Sequence, residues 1–446
     1  MLGDYRIEGR RAVEIAASVE RGVGTGELAP GRLLPPMREL AAELGVNPNT
    51  VAAAYRMLRE RGVVETAGRR GTRVRPRPAS TPREAIRVEA PEGVRDISTG
   101  NPDVSLLPSP RDALAVAGDR HEKTPMLYGG PALTEDLARL ARAAFDVDGV
   151  PAGPVAVTSG SLDAVERALT AHLRPGDAVA VEDPGWGSLL DLVPALGLRT
   201  LPVALDDDGP LPDAVEHALR QGARALVVTD RAQNPTGAAV SADRARELRR
   251  VLAGHPGVLL IEDDHGHGIV DLPLHPLADA DGPTGHWMLV RSVAKSYGPD
   301  LRLAVLTGDT VTVDRVGGRQ RLGPGWVSHL LQHTVTALWE SRAVDPSEVA
   351  RSYGRRRDAL LAALAERGVA GHGRSGMNVW VPVPDETGAV ARLLAAGWAV
   401  APGARFRIAS PPGIRLTVSD LAADDIGPVA DAVASAIRPI EARRYG

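Results

Sequence analysis

Apolar residues fall at helical spacing along the first sixty positions. Val13, Ile15, Ala16, Val19 and Val23 mark a helix from 10 to about 23, ended by Gly24, Gly26, Pro30 and Gly31. Pro35 and Pro36 precede a second helix, 37–44, which Gly45 stops. A third opens on Asn47 as its cap. Pro48 takes the first helical position, where a missing N–H costs nothing, and the helix runs through Val51 and Tyr55 to Leu58. Leu44-Gly45-Val46-Asn47 joins the last two helices as a helix-turn-helix. The runs 63–66 and 72–75 then read as a hairpin around a basic tip, Ala67-Gly68-Arg69-Arg70-Gly71, which makes the motif winged.

Beyond about residue 94 the period changes. Short apolar runs at 155–158, 178–182, 200–204, 225–229, 258–262, 288–292 and 301–307 alternate with helical stretches at 161–173, 186–196, 211–221 and 241–253. This alternation predicts an α/β layer fold with a large, mostly parallel sheet. In such folds ligands sit beyond the carboxyl ends of the strands. Between the two patterns lies Arg75-Pro-Arg-Pro-Ala-Ser-Thr-Pro82, an extended, semi-rigid connection with the residues to about 93. The expected division is a head at 1–78, a linker at 79–93 and a body at 94–446.

Charge separates the same two parts. Residues 1–78 hold fourteen arginines against nine carboxylates, a net of +5, which leaves −9 for the rest of a chain of formal charge −4. A basic head on an acidic body points to a polyanion as the head's partner. The third helix would enter a major groove of double-stranded DNA with Asn47, Asn49 and Thr50 at base edges. Arg38, Arg56, Arg69 and Arg70 would hold phosphates or the minor groove, and Tyr55 and Gly71 complete the candidate surface. The competing reading is a small protein-interaction domain with solvated arginines. The chain has no cysteine, no apolar run of membrane-spanning length and no signal-peptide core at its start, so a cytoplasmic protein is expected.

Lysine is nearly absent: only Lys123 and Lys295 occur. A solvated cation in this chain is an arginine, so Lys295 needs a task that arginine cannot perform. An amine can lose its proton and attack an aldehyde, whereas a guanidinium cannot. Seven residues on, Arg302 suits a bidentate grip on phosphate, and Ser292 offers a hydroxyl three residues before. An aldehyde trap beside a phosphate clamp suggests pyridoxal 5'-phosphate (PLP). The plain alternative is a loop lysine, with Arg302 opening the next strand.

Other strand ends carry matching chemistry. Thr158-Ser159-Gly160-Ser161 opens a helix whose free N–H groups suit a phosphate. Trp186, in Glu182-Asp183-Pro184-Gly185-Trp186, can stack on a flat ring or belong to the core. Asn234, in Asn234-Pro235-Thr236-Gly237, can aim an amide at a phenolic oxygen or form only a turn. In Glu262-Asp263-Asp264-His265-Gly266-His267 a buried carboxylate can pair with a pyridinium nitrogen. The same run, with two carboxylates and a His-x-His, also has the makings of a metal site, a reading that Lys295, Asn234 and Arg302 weaken.

Taken together, SGS, EDPGW, NPTG, EDDH and SxxKxxxPxxR, in this order, resemble the class I aminotransferases of PLP fold type I over about 94–440. LPPMRELAAELGVNPNTVAAAYRMLRERGVVET resembles the GntR-family DNA-binding domain, although Pro48 stands where that family often has arginine. The fusion resembles the MocR subfamily of bacterial transcriptional regulators, and EDDH, KSYGPDLRLA and WVSHLLQ look like its PtsJ branch. The resemblance implies a fold-type-I body with a smaller C-terminal α+β lobe, working as a homodimer. It implies that Lys295 forms the Schiff base, Asp263 pairs with the pyridine nitrogen, and Asn234 bonds the ring oxygen. It implies that Ser159, Gly160, Ser161, Ser292 and Arg302 hold the phosphate, with Tyr128 of a second copy, and that Trp186 stacks on the ring. Arg415, in Gly413-Ile414-Arg415-Leu416, matches the arginine that grips a substrate carboxylate; the plain alternative is an exposed arginine at a strand start. His265 stands where most relatives have tyrosine, and Ala304 where glycine is common. The expected function is a transcriptional regulator whose operator affinity responds to PLP or to an amine reacting with it. The alternatives are a working aminotransferase with an appended head and a metal-dependent regulator.

Overall fold

Punctuation by glycine, proline and asparagine shapes the head. A computed structural model describes residues 5–24, 27–29, 31–60, 63–66, 71–74, 83, 86, 89–279, 282 and 284–438. In it α1 (Ala12–Gly24), α2 (Met37–Leu44) and α3 (Pro48–Glu60) precede a hairpin of β1 (Val64–Thr66) and β2 (Thr72–Val74). Gly45 ends α2 at φ 65°, a left-handed conformation that glycine adopts without a Cβ penalty. Val46 N–H then donates back to Ala41 O at 3.0 Å. The Asn47 carboxamide accepts from Asn49 N–H at 2.9 Å and so satisfies one free donor at the start of α3. Ile15, Val19, Leu34, Leu40, Val51, Leu58, Val64 and Val74 form the head's core.

Tyr55 corrects the expected DNA surface. It follows Val51 by one turn on the stripe that continues to Leu58, so it is buried and its hydroxyl donates to Pro35 O at 2.8 Å. It is a core residue and does not face DNA. Arg69, Arg70 and most of the expected linker lie outside the described residues.

The body begins with β3 (Arg95–Asp96), α4 (Arg111–Lys123) and α5 (Glu135–Val147). The sheet-forming part contains β4 (Val155–Thr158), α6 (Ser161–His172), β5 (Ala178–Glu182), α7 (Gly187–Ala195) and β6 (Arg199–Val203). A small hairpin, β7 (Leu205–Asp206) and β8 (Gly209–Pro210), leads to α8 (Pro212–Arg220), β9 (Ala223–Thr229), α9 (Ala242–Ala253) and β10 (Leu259–Asp264). Then come β11 (His286–Ser292), α10 (Ala294–Tyr297), β12 (Ala304–Gly308), α11 (Thr310–Arg321) and α12 (His329–Glu340). Seven strands form one sheet in the order β4-β12-β11-β10-β9-β5-β6. β10 runs parallel to β9 and β11, and β12 is antiparallel to both of its neighbours. The expected strand at 301–307 starts later, at Ala304. Residues Pro299–Leu301 form a 3-10 turn, and Arg302 follows at φ 44°.

The C-terminal lobe holds α13 (Pro346–Glu366), β13 (Asn378–Pro382), α14 (Glu386–Ala395), β14 (Trp398–Ala399), β15 (Ala401–Pro402), β16 (Gly413–Thr417) and α15 (Ile426–Ile437). Its sheet is antiparallel, β13-β16-β15, and β14 pairs with β3 from the start of the body. Asp183 ties the lobe to the large sheet. Its carboxylate accepts from the N–H groups of Ile408, Ala409 and Ser410 and from the Ser410 hydroxyl, at 2.7–2.9 Å.

Beneath the strand ends lies a buried ionic network. Asp264 accepts from Arg231 Nε and Nη2 at 3.0 and 2.7 Å and from Arg291 Nε at 2.8 Å. Arg291 Nη2 continues to Asp148 at 2.5 Å. Burial alone would push the Asp264 carboxyl up. The two guanidiniums outweigh it and hold the group below the usual carboxylate range. Asp264→Asn removes the carboxylate that both buried guanidiniums share and leaves Arg291 with Asp148 alone. Urea unfolding should show a loss of about 3–5 kcal/mol, and a loss below 1 kcal/mol would remove the network from the fold's supports.

Candidate functional site

Alternation along β10 separates two neighbouring carboxylates. Asp264 turns into the ionic network, and Asp263 turns to the other side of the sheet, where Ser161 Oγ donates to it at 3.0 Å. Ser161 opens α6 directly after Gly160, which has φ 100°. A Cβ at Gly160 would lie 3.2 Å from Arg302 Nη2, so glycine keeps the approach to that guanidinium open. Arg302 Nη2 donates to Ser159 O at 3.1 Å, and Ser159 N–H donates to Asp163. Ser292 closes β11, where its hydroxyl accepts from Ala294 N–H at 3.2 Å. One turn of α10 then carries Lys295, whose Nζ donates to Gly100 O at 2.7 Å.

These strand and helix ends enclose a cavity of about 520 Å³. Of the residues expected at the site, Gly160, Ser161, Trp186, Asn234, His265, Ser292, Lys295, Arg302 and Arg415 line it. Asp263 lies behind Ser161, and Ser159 holds Arg302 from outside the lining. Tyr128 does not join them; it is 95% exposed and packs edge-on against Trp326. Arg415 is buried within β16 rather than exposed at a strand start. Its Nη1 donates to Asn234 Oδ1 at 2.8 Å and its Nη2 to Ser98 O at 2.5 Å. Sequence reasoning missed Ser98, Gly100 and Arg405, which also border the cavity. Arg405 is one arginine among fifty and ends a short 3-10 turn without motif character.

The titratable groups are strongly perturbed. Burial pushes the Asp263 carboxyl up to about 7, with Asp264 and Glu182 adding to the effect against the Ser161 hydrogen bond. Enclosure by protein, and then the Lys295 charge, bring the His265 imidazole down to about 3, so it is neutral at pH 7. The two histidines of the His-x-His run have different surroundings, since His265 lines the cavity and His267 packs edge-on near Trp339. Among the described residues, Asp148, Asp264 and His267 bring three possible metal-ligand atoms together. Arg291, however, already donates to both of those carboxylates.

On the head, Arg38, Asn47, Asn49, Arg56 and Gly71 are exposed and Thr50 is half-buried, around the start and outer face of α3 and the hairpin. Gly71 has φ 95°.

A helix-turn-helix head joined to a body of aminotransferase fold is the architecture of a MocR-type transcriptional regulator. Residues 11–74 match the gntR family of bacterial regulatory proteins and residues 93–433 the aminotransferase class I and II family. The chain is 40% identical over 433 residues to the vitamin B6 salvage pathway transcriptional repressor PtsJ of Salmonella typhimurium, covering 95% of this chain and 98% of that one. It is 30% identical over 280 residues to the pyridoxine biosynthesis regulator PdxR of Corynebacterium glutamicum, 59% of each. Among solved structures it resembles the aspartate aminotransferase of Rhizobium meliloti, with a TM-score of 0.69, 23% identity and coverage of 77% and 91%. It also resembles LysN of Thermus thermophilus, solved with N-(5'-phosphopyridoxyl)-L-leucine, with a TM-score of 0.67, 22% identity and coverage of 79% and 96%. The chain therefore belongs to the aminotransferase class I and II family through its body and, over its full length, to the MocR-type regulators that include PtsJ. Among the described residues no helix is long and apolar enough to cross a membrane.

The Asp263 shift carries a pH signature. Its folded pKa, about 7, lies above its ordinary value of 3.8. The protonated carboxyl therefore favours the fold. That contribution is complete below the ordinary value and is lost as the pH rises through about 7. In ligand-free protein, Asp263→Asn should flatten the fall in stability between pH 4 and 7, measured by urea midpoints; parallel curves for the two proteins would contradict the shift.

Proposed function

We propose that the cavity holds PLP and that its occupancy, by PLP or by an amine that reacts with it, sets the head's affinity for operator DNA. The observation that carries this reading is that Lys295, one of two lysines in the chain, shares a cavity with Arg302 and Arg415. The donor set fits the group. Arg302, the Ser292 hydroxyl and the N–H groups opening α6 after Gly160 suit the phosphate, and the open approach at Gly160 leaves room for it. Asp263 suits the ring nitrogen, Asn234 the ring oxygen and Trp186 a ring face. Lys295 provides the amine and Arg415 a grip for an effector's carboxylate. When bound, PLP supplies an aldehyde for primary amines and an electron-withdrawing ring. His265, neutral beside Lys295, adds no positive charge there.

In this reading residues 1–78 bind a DNA operator in the cytoplasm, 79–93 link, and 94–446 sense the effector as a homodimer. Tyr128, exposed on one copy, is available to the phosphate site of the other. Arg38, Asn47, Asn49, Thr50 and Arg56 face DNA with Arg69, Arg70 and Gly71 of the wing. A second reading, residual transamination, draws support from Arg415, which shares the cavity of Lys295 as a substrate-carboxylate grip would.

Lys295→Ala removes the aldehyde trap and leaves Arg302 and Asp263 in place. Borohydride should fix PLP to the native chain and none to the variant; fixation in both would assign the amine elsewhere. PLP should also shift operator affinity by a coupling on the order of 1–3 kcal/mol, and operator DNA should shift PLP affinity by the same factor. Titrations in both directions measure it. Zero coupling in both would make PLP a structural part of the body.

A further inference from the structure

Arg83 lies inside the expected linker, yet its side chain is bonded to the body. The two N–H bonds of its Nη1 donate to Ala404 O at 3.0 Å and to Arg407 O at 2.9 Å. Those carbonyls bracket Arg405, which ends the 3-10 turn Gly403–Arg405 and borders the cavity. The same stretch is held from other sides as well. Glu386 accepts from Ala404 N–H at 2.8 Å and from Arg407 Nη2 at 2.9 Å, and Gly185 N–H donates to Phe406 O at 2.8 Å. Gly187 shows how closely the pieces meet. A Cβ there would fall 2.8 Å from Arg405 O and 3.4 Å from Arg83 Cβ. Gly187 stands between Trp186 and Ser188, which both line the cavity.

Arg83 therefore meets two elements that each place side chains on the cavity, the turn at 403–405 and the start of α7. Close-packed contacts switch between discrete arrangements rather than deform smoothly, so a ligand that moves Trp186 or Arg405 also moves what Arg83 holds. The next strand, β3, begins twelve residues later at Arg95 and pairs with β14. Without the Arg83 bonds, fastening by a strand comes only after that span, up to roughly 40 Å at full extension. A longer tether passes on less of any movement. We propose that Arg83 is the joint through which occupancy of the cavity reaches the head. It fixes the chain that leads to the head onto the 403–407 turn and onto α7, and its removal uncouples operator affinity from PLP while the PLP site stays intact. This rests on the reading of the cavity as a PLP effector site.

The test is fluorescence anisotropy of the full-length chain with an operator duplex that the chain itself selects from a random pool, with and without PLP. Native operator affinity should shift with PLP by roughly five- to a hundred-and-fiftyfold. In Arg83→Gln the shift should fall below about twofold, with borohydride-fixed PLP unchanged. Arg83→Lys, whose ammonium can still donate to both carbonyls, should keep more of the shift than Arg83→Gln. A shift that survives Arg83→Gln in full overturns the proposal. So does loss of borohydride-fixed PLP in that variant, which would make Arg83 a support of the site itself. A second measurement needs no variant to fold: PLP should change hydrogen exchange at the amides of Ala404 and Ile408 to Ser410 in the native chain. Exchange untouched there overturns the proposal as well. The readings beneath it fail in a different way. PLP that is fixed to the native chain without shifting operator affinity overturns the effector reading, and PLP that is not fixed at all overturns the cofactor reading, each taking the role of Arg83 with it.

Discussion

The buried contact of Asp264 with Arg231 and Arg291 is the constraint on which the candidate site depends. It joins the segment after β9, the end of β10 and the body of β11, and through Asp148 it reaches the segment after α5. Three of those segments then deliver a residue to the cavity: Asn234 after Arg231, His265 after Asp264 and Ser292 after Arg291. The period of two in a strand makes the arrangement obligatory. With Asp264 turned into the network, Asp263 must face the opposite side. Buried ion pairs contribute little net stability, but removing one partner is costly, so such a network works as a register for the strand ends.

Above that register the cavity combines opposite electrostatic devices. Enclosure keeps His265 neutral and Asp263 reluctant to ionise, while Lys295, Arg302, Arg405 and Arg415 are among the described residues that border the same space. The arginines come from different parts of the body. Arg302 follows a 3-10 turn beside the large sheet, and Arg405 and Arg415 belong to the C-terminal lobe. Asp183, holding three backbone N–H groups of the 408–410 loop, keeps the segment that carries Arg405 against the large sheet. A ligand reaching from Lys295 to Arg415 therefore touches both parts of the body. That is the physical means by which a small molecule can favour one arrangement over another.

Much of this was legible along the chain because the signals were local. Gly45 and the Asn47-Pro48 pair mark the turn and the cap of the recognition helix by conformational preference alone, and alternating apolar runs place the large sheet to within a few residues. The scarcity of lysine singles out Lys295 without any knowledge of its neighbours. Other features needed the fold. Tyr55 has a polar tip and sits on the second helix of the helix-turn-helix, and only the packing of Val51 and Leu58 beside it shows that the ring is interior and the hydroxyl is bound to Pro35. The late start of β12 follows from the left-handed backbone at Arg302, which no residue preference announces.

What the sequence determined by itself is the order of helices and strands, the charge of the head and the residue types at strand ends, because each depends on neighbours within a turn or a pleat. What the tertiary structure decided is which of those residues meet. Arg415 reaches Asn234 across 181 positions and Lys295 reaches Gly100 across 195, and β3 pairs with β14 from opposite ends of the body. Arg405 joins the site through a carbonyl 307 positions away. Contacts over such separations are set by the summed packing of the core, and no local pattern encodes them.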